Sequence, residues 1–208
     1  MFTATSEELY TQYKKRFKNI PKSKLDLTFK VTKPDAAKDG EAIYSFYKQN
    51  APNMMRLKKR TEKDTKELIS RRIPHLVSAY LNEELVGHIM LVRNNEYGFY
   101  HITYPCTRKD LRRKNITVYM ALCSMKYAED VLKLNEVRVL VHLGPPFVGY
   151  ESTLKTVIEK AEAEKGKTPI EKYNHERDKH LYRVFEEILG FRLMRFNQFI
   201  CYIIRLWS

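Results

Sequence analysis

Residues 104–134 read YPCTRKDLRRKNITVYMALCSMKYAEDVLKL, and the remaining elements can be placed around them. A strand-like run, Tyr100-His101-Ile102-Thr103-Tyr104, leads in. A basic turn, residues 108–114, comes next. Val118, Leu122, Met125, Ala128 and Leu132 then recur at helical spacing, which predicts a long helix with one apolar face. A strand that feeds a helix through a cationic turn is suited to an anion. The first helical N–H groups have no intrahelical partner, and the helix dipole favours negative charge there.

The six residues Arg112-Arg113-Lys114-Asn115-Ile116-Thr117 resemble the pyrophosphate loop of the GNAT acetyltransferases, whose pattern is Gln/Arg-x-x-Gly-x-Gly/Ala. Arg112 falls on the first position, Asn115 on the first glycine and Thr117 on the last small residue. No glycine lies between Gly98 and Gly144. A phosphate cradle favours glycine because it reaches left-handed dihedrals without steric cost, and asparagine is the next most tolerant residue. Without the family, the same run reads as a solvated basic turn ahead of a core helix.

Composition bounds the alternatives. The chain has 208 residues, 43% hydrophobic and 12% aromatic, enough for a globular domain with its own core. No apolar run approaches the roughly 18 residues that span a bilayer. The first ten residues, MFTATSEELY, lack the regions of a signal peptide. Cys106, Cys123 and Cys201 are scattered without metal-site spacing, so they read as reduced thiols of a cytoplasmic protein with no metal. The net charge of +13 makes anionic partners plausible: nucleic acid, an acidic protein or a polyphosphate cofactor.

In chain order, residues 1–26 read as an N-terminal helical arm, with Leu9, Tyr13, Phe17 and Ile20 on one face and Pro21 at its end. Residues 27–32 alternate like a strand. A helix with Ile43, Phe46 and Tyr47 inward and Asn50 near its end should come after it. Thr61-x-x-Asp64 marks the start of another, burying Leu68 and Ile69. Residues 76–81, the polar turn Asn82-Glu83-Glu84 and residues 85–92 predict a hairpin, with Gly87 at a bulge or close backbone approach. After the central helix comes a buried strand, residues 137–141. Residues 145–173 look like a helical insertion, with a helix over 176–189 beyond it. Two strands, 191–196 and 199–207, close the chain.

That order resembles the GNAT superfamily over residues 27–208, and Leu189-Gly190-Phe191 is similar to the Leu-Gly-Phe after the family's last helix. The resemblance implies an α/β (α+β) fold, a mixed, mostly antiparallel sheet flanked by helices. It also implies acetyl transfer from acetyl-CoA to a primary amine. Tyr104, Cys106 and Thr107 would then face the thioester arm, and Arg112, Arg113, Lys114, Asn115, Ile116 and Thr117 the phosphates. An acceptor amine, protonated below a pKa of about 10.4, must shed a proton before attack. His101 is the candidate base and Tyr182 the candidate acid, although the family's tyrosine position is Glu186 here. His101 also reads as a half-buried strand histidine, and Tyr182 as a core tyrosine. His142, His175 and His180 are weaker candidates. Two other functions stay open: a non-catalytic GNAT-like module that binds nucleic acid through its basic surface, and a structural or interaction protein.

Overall fold

The computed structural model describes residues 1–51, 61–93, 95, 98–142, 182–189, 192–196 and 199–205. Its elements are β1 (Phe2–Thr5), α1 (Ser6–Tyr13), β2 (Leu27–Thr32), α2 (Ala36–Asn50), α3 (Glu62–Arg72), β3 (His75–Leu81), β4 (Glu84–Arg93), β5 (Tyr100–Thr107), α4 (Ile116–Asp130), β6 (Glu136–His142), β7 (Arg192–Phe196) and β8 (Phe199–Arg205). A 3₁₀ turn, Lys109–Leu111, precedes α4, and a π-helical segment, Tyr182–Ile188, precedes β7. The strands form one eight-stranded sheet in the order β1-β2-β3-β4-β5-β6-β8-β7. Among the described residues only β5 and β6 run parallel, and every other neighbouring pair is antiparallel. The mixed, mostly antiparallel sheet is as expected.

Each face of the sheet has its own apolar layer. In β2, Leu27, Phe29 and Val31 are buried while Thr28, Lys30 and Thr32 are exposed, the period-2 pattern of a strand covered on one side. Phe29 and Val31 face α4 together with Val77, Ala79, Ile89, Leu91 and Ile102. On the other face Ile43, Phe46, Tyr47 and Ile69 of α2 and α3 pack on Leu76, Met90, Val92 and Cys106. Asp35 caps α2 by accepting from the N–H groups of Ala37 and Lys38. Thr61 and Asp64 form the reciprocal capping box at the start of α3.

Two expectations change. The central helix is buried nearly all round, not along one face. Tyr119, Met120, Ala121, Cys123 and Ser124 are buried too, because α4 also packs against α1 and the π-helical segment. The N-terminal segment is not a purely helical arm either. It opens with β1, antiparallel to β2, and its helix ends at Tyr13. Phe17 and Ile20 lie beyond the helix yet join the main core with Leu9 and Tyr13. Burial of the apolar spacing held the segment to the domain even where the helix stopped.

The hairpin forms as expected. Asn82 and Glu83 both adopt left-handed backbone, as a two-residue turn between twisted strands requires. The register slips beside Gly87, and a Cβ placed there would lie 3.1 Å from the Met120 sulfur and 3.2 Å from the Cys106 carbonyl oxygen. No helix among the described residues is long and apolar enough to cross a membrane. The expected insertion at 145–173, the first part of the last helix, and His175 and His180 lie outside the described residues.

Candidate active site

The two parallel strands meet briefly and then part. β5 and β6 pair at His101 with Arg138 and at Ile102 with Val139, and the pairing ends there. Yet β5 stays registered with β4 as far as Thr107, and β6 with β8 along its whole length to His142. Each strand keeps its outer partner and leaves the other, so the facing edges of residues 103–107 and 140–142 are held apart. Main-chain N–H and C=O groups on such edges need a partner. The Arg108 N–H donates to Val86 O at 2.9 Å, so strand alternation turns the Thr107 N–H the other way, toward β6.

At the wide end of this opening stands the start of α4. Arg113 and Asn115 both have left-handed backbone, with φ of 65° and 62°. Asn115 is the N-cap residue, and its side chain makes no capping hydrogen bond. The first helical bond closes from the Tyr119 N–H to Asn115 O, leaving the N–H groups of Ile116, Thr117 and Val118 outside the ladder. Arg113 and Lys114 are exposed, whereas Ile116 is only 2% exposed as a residue and its side chain belongs to the core, so the one polar donor it has is its backbone N–H. Thr107 Oγ1 and Thr117 Oγ1 lie 3.4 Å apart and tie the strand end to the helix start. These donors and cations fit a diphosphate.

The strand side chains sort by face. β5 carries a bulge where Tyr104 and Pro105 oppose Ile89, and Tyr104 has φ of 53°. The Tyr104 carbonyl is taken by the Tyr47 hydroxyl at 2.6 Å, and Pro105 has no N–H to offer. Cys106 is buried against α2 and burial pushes its thiol up to about 12, so it is a neutral lining group. His101 stands one residue before Ile102, the last paired position of the two strands. Its cross-strand partner Val92 is in the α2–α3 layer, which puts the imidazole on that face. Burial, with a lesser contribution from Arg72, pushes His101 down to about 4. Its buried Nδ1 has no hydrogen-bond partner among the described residues.

Of the expected site residues, the structure gathers Thr107, Arg113, Lys114, Asn115, Ile116 and Thr117 at one end of the opening, with His101 at the other. Arg112 departs from that group: its Nη2 donates to Asn50 O of α2 at 2.5 Å. Tyr182 sits on the π-helical segment beside α4, with its side chain outside what the structure describes. Among the described residues no three His, Cys, Asp or Glu side chains gather as a metal site. Sequence reasoning overlooked Tyr47, Asn50 and His88 as site-building groups. His88 is buried, with Nδ1 3.0 Å from Ser78 Oγ and its ring edge-on to Phe46. A signal existed for Asn50: it continues the buried stripe Ile43, Phe46, Tyr47, and a buried amide must find partners.

No family model matches the sequence, and no curated protein matches it. Solved structures do match. A GNAT-family acetyltransferase from Bacillus anthracis is 17% identical and superposes with a TM-score of 0.53 over 86% of this chain and 96% of that one. The aminoglycoside 6'-N-acetyltransferase from Enterococcus faecium is 12% identical, with a TM-score of 0.52 over 86% and 98%. An aminoglycoside 6'-N-acetyltransferase complexed with coenzyme A is 11% identical, with a TM-score of 0.54 over the same shares. The chain has the fold of the GNAT acetyltransferases.

Proposed function

We propose that the chain is an N-acetyltransferase that moves an acetyl group from acetyl-CoA to a primary amine. The observation that carries this reading is the parting of β5 from β6 directly ahead of an uncapped, cation-flanked helix N-terminus. A flat arm can lie between the strand edges while its diphosphate rests on the α4 amides. A coenzyme A complex of the same fold supports the choice of ligand.

Acetyl-CoA supplies a thioester carbonyl that a neutral amine can attack. Arg113 and Lys114 hold the phosphates electrostatically, and the Ile116 and Thr117 N–H groups donate hydrogen bonds to them. The Thr107 N–H faces the arm. His101 is neutral at pH 7 and sits on the α2–α3 face, one residue before the strands part. It takes the proton released as nitrogen bonds to carbon, when that cationic nitrogen is far more acidic than the free ammonium ion. Tyr182 is the candidate donor to the departing sulfur.

Calorimetry with CoA tests the reading. Wild-type protein should bind CoA, and Arg113→Glu should weaken binding at least tenfold. Absence of heat and of any thermal shift with CoA would overturn it. The +13 charge favours a second reading, a nucleic-acid-binding module. Salt-steep RNA or DNA binding indifferent to acetyl-CoA would support that one instead.

A further inference from the structure

We infer that Asn50 and Arg112 are positioning residues that pin the cationic turn to the end of α2, and that Arg112 serves the diphosphate site through this joint and not as a phosphate ligand. The inference rests on the acetyl-CoA reading above and assigns Arg112 a different task from the one its place in the loop pattern implies. α2 ends at Asn50, whose carbonyl belongs to the last turn and lacks an intrahelical partner. Arg112 Nη2 donates to that oxygen at 2.5 Å, so the guanidinium lies at the negative end of the helix. Asn50 is almost fully buried, at 4% exposure, and both ends of its side-chain amide are used. Its Nδ2 donates to Phe46 O of its own helix at 3.0 Å, and its Oδ1 accepts the Lys109 N–H at 3.3 Å. One residue therefore grips the 3₁₀ turn Lys109–Leu111 on both sides.

The path of the backbone beyond the turn depends on how the turn is held. Arg112 itself is extended, with φ of −60° and ψ of 152°, and the next residue enters the left-handed region. The change of handedness that opens the cradle starts at the residue tied to α2. The Arg112 charge also acts on the Cys106 thiol, which packs in the α2 layer, placing the guanidinium on that face of the sheet. Arg113 and Lys114 are left as the cations for phosphate.

The test pairs CoA calorimetry with hydrogen–deuterium exchange at the end of α2, where the Ala51 N–H bonds to Tyr47 O at 2.7 Å. Arg112→Gln and Asn50→Ala should each weaken CoA binding about tenfold and speed exchange at the end of α2 about tenfold. The double variant should be no worse than either single one. Arg113→Gln should weaken CoA binding and leave that exchange unchanged. If Asn50→Ala does not fold, Arg112→Gln decides alone. Lost CoA affinity in Arg112→Gln with exchange at α2 unchanged would overturn the inference and make Arg112 a direct phosphate ligand. A wild-type protein that ignores CoA would sink the acetyl-CoA reading and the diphosphate half of this one. Faster exchange in Arg112→Gln would still uphold the joint itself.

Discussion

Asn115 carries the backbone reversal that the loop pattern assigns to glycine. At φ of 62° an L-residue is strained, least so when it is asparagine. Asn115→Gly should therefore keep or raise CoA affinity, while Asn115→Val should cost about 1–2 kcal/mol of stability and most of the binding. Denaturant unfolding and calorimetry on the two variants check this, and equal behaviour of Gly and Val would refute it. The buried histidines make a second residue-scale prediction. Burial pushes both His88 and His101 down to about 4, against 6.5 for an exposed ring. Between those values the unfolded chain holds more protons than the folded one. Stability is therefore whole above about pH 6.5 and falls as the pH drops toward 4. His88 alone should account for about 3 kcal/mol by pH 4, so His88→Gln should flatten the acid side of a stability–pH curve. The same shift in His101 predicts an acid limb of kcat/KM near pH 4, not near 6.5.

At the scale of elements, local signals were readable wherever they had a local cause. Thr61-x-x-Asp64 gave the start of α3 because a capping box needs only four residues. Thr61→Ala should lower stability by about 1 kcal/mol in urea unfolding, and no loss would mean the box is ornamental. Gly87 marked a close approach because removing a Cβ is a local act. The hairpin, the central helix and the cationic turn were legible for the same reason. What stayed hidden was non-local. The bulge at Tyr104 is held by Tyr47, 57 positions away, and Arg112 is turned by Asn50, 62 positions away. Neither partner carries a motif of its own. The parting of β5 and β6 is invisible to periodicity, since each reads only as a strand and nothing in either pattern says where their pairing stops.

For the whole molecule, the first 26 residues test whether the domain begins at residue 27. Their apolar groups, Leu9, Tyr13, Phe17 and Ile20, lie in one cluster with Val118 and Leu122 of α4. Each such side chain is worth about 1.5–3 kcal/mol of burial. Polar groups lock the segment to the same helix. Glu129, 8% exposed, accepts the Tyr13 hydroxyl at 2.6 Å and pairs with Arg16 at 2.8 Å. The Tyr119 hydroxyl donates to Pro21 O and accepts the Ser23 N–H, both at 2.8 Å. Removing the segment would strip apolar cover from α4, uncover the edge of β2 and leave a carboxylate without the two partners that justify its burial. A chain of residues 27–208 should be recovered insoluble or melt more than about 10 °C below the full chain. Tyr13→Phe/Arg16→Ala in the full chain should destabilise it by about 2–4 kcal/mol, and adding Glu129→Gln should recover part of that loss. A soluble 27–208 fragment melting within a few degrees of the parent would show the segment to be an appendage after all.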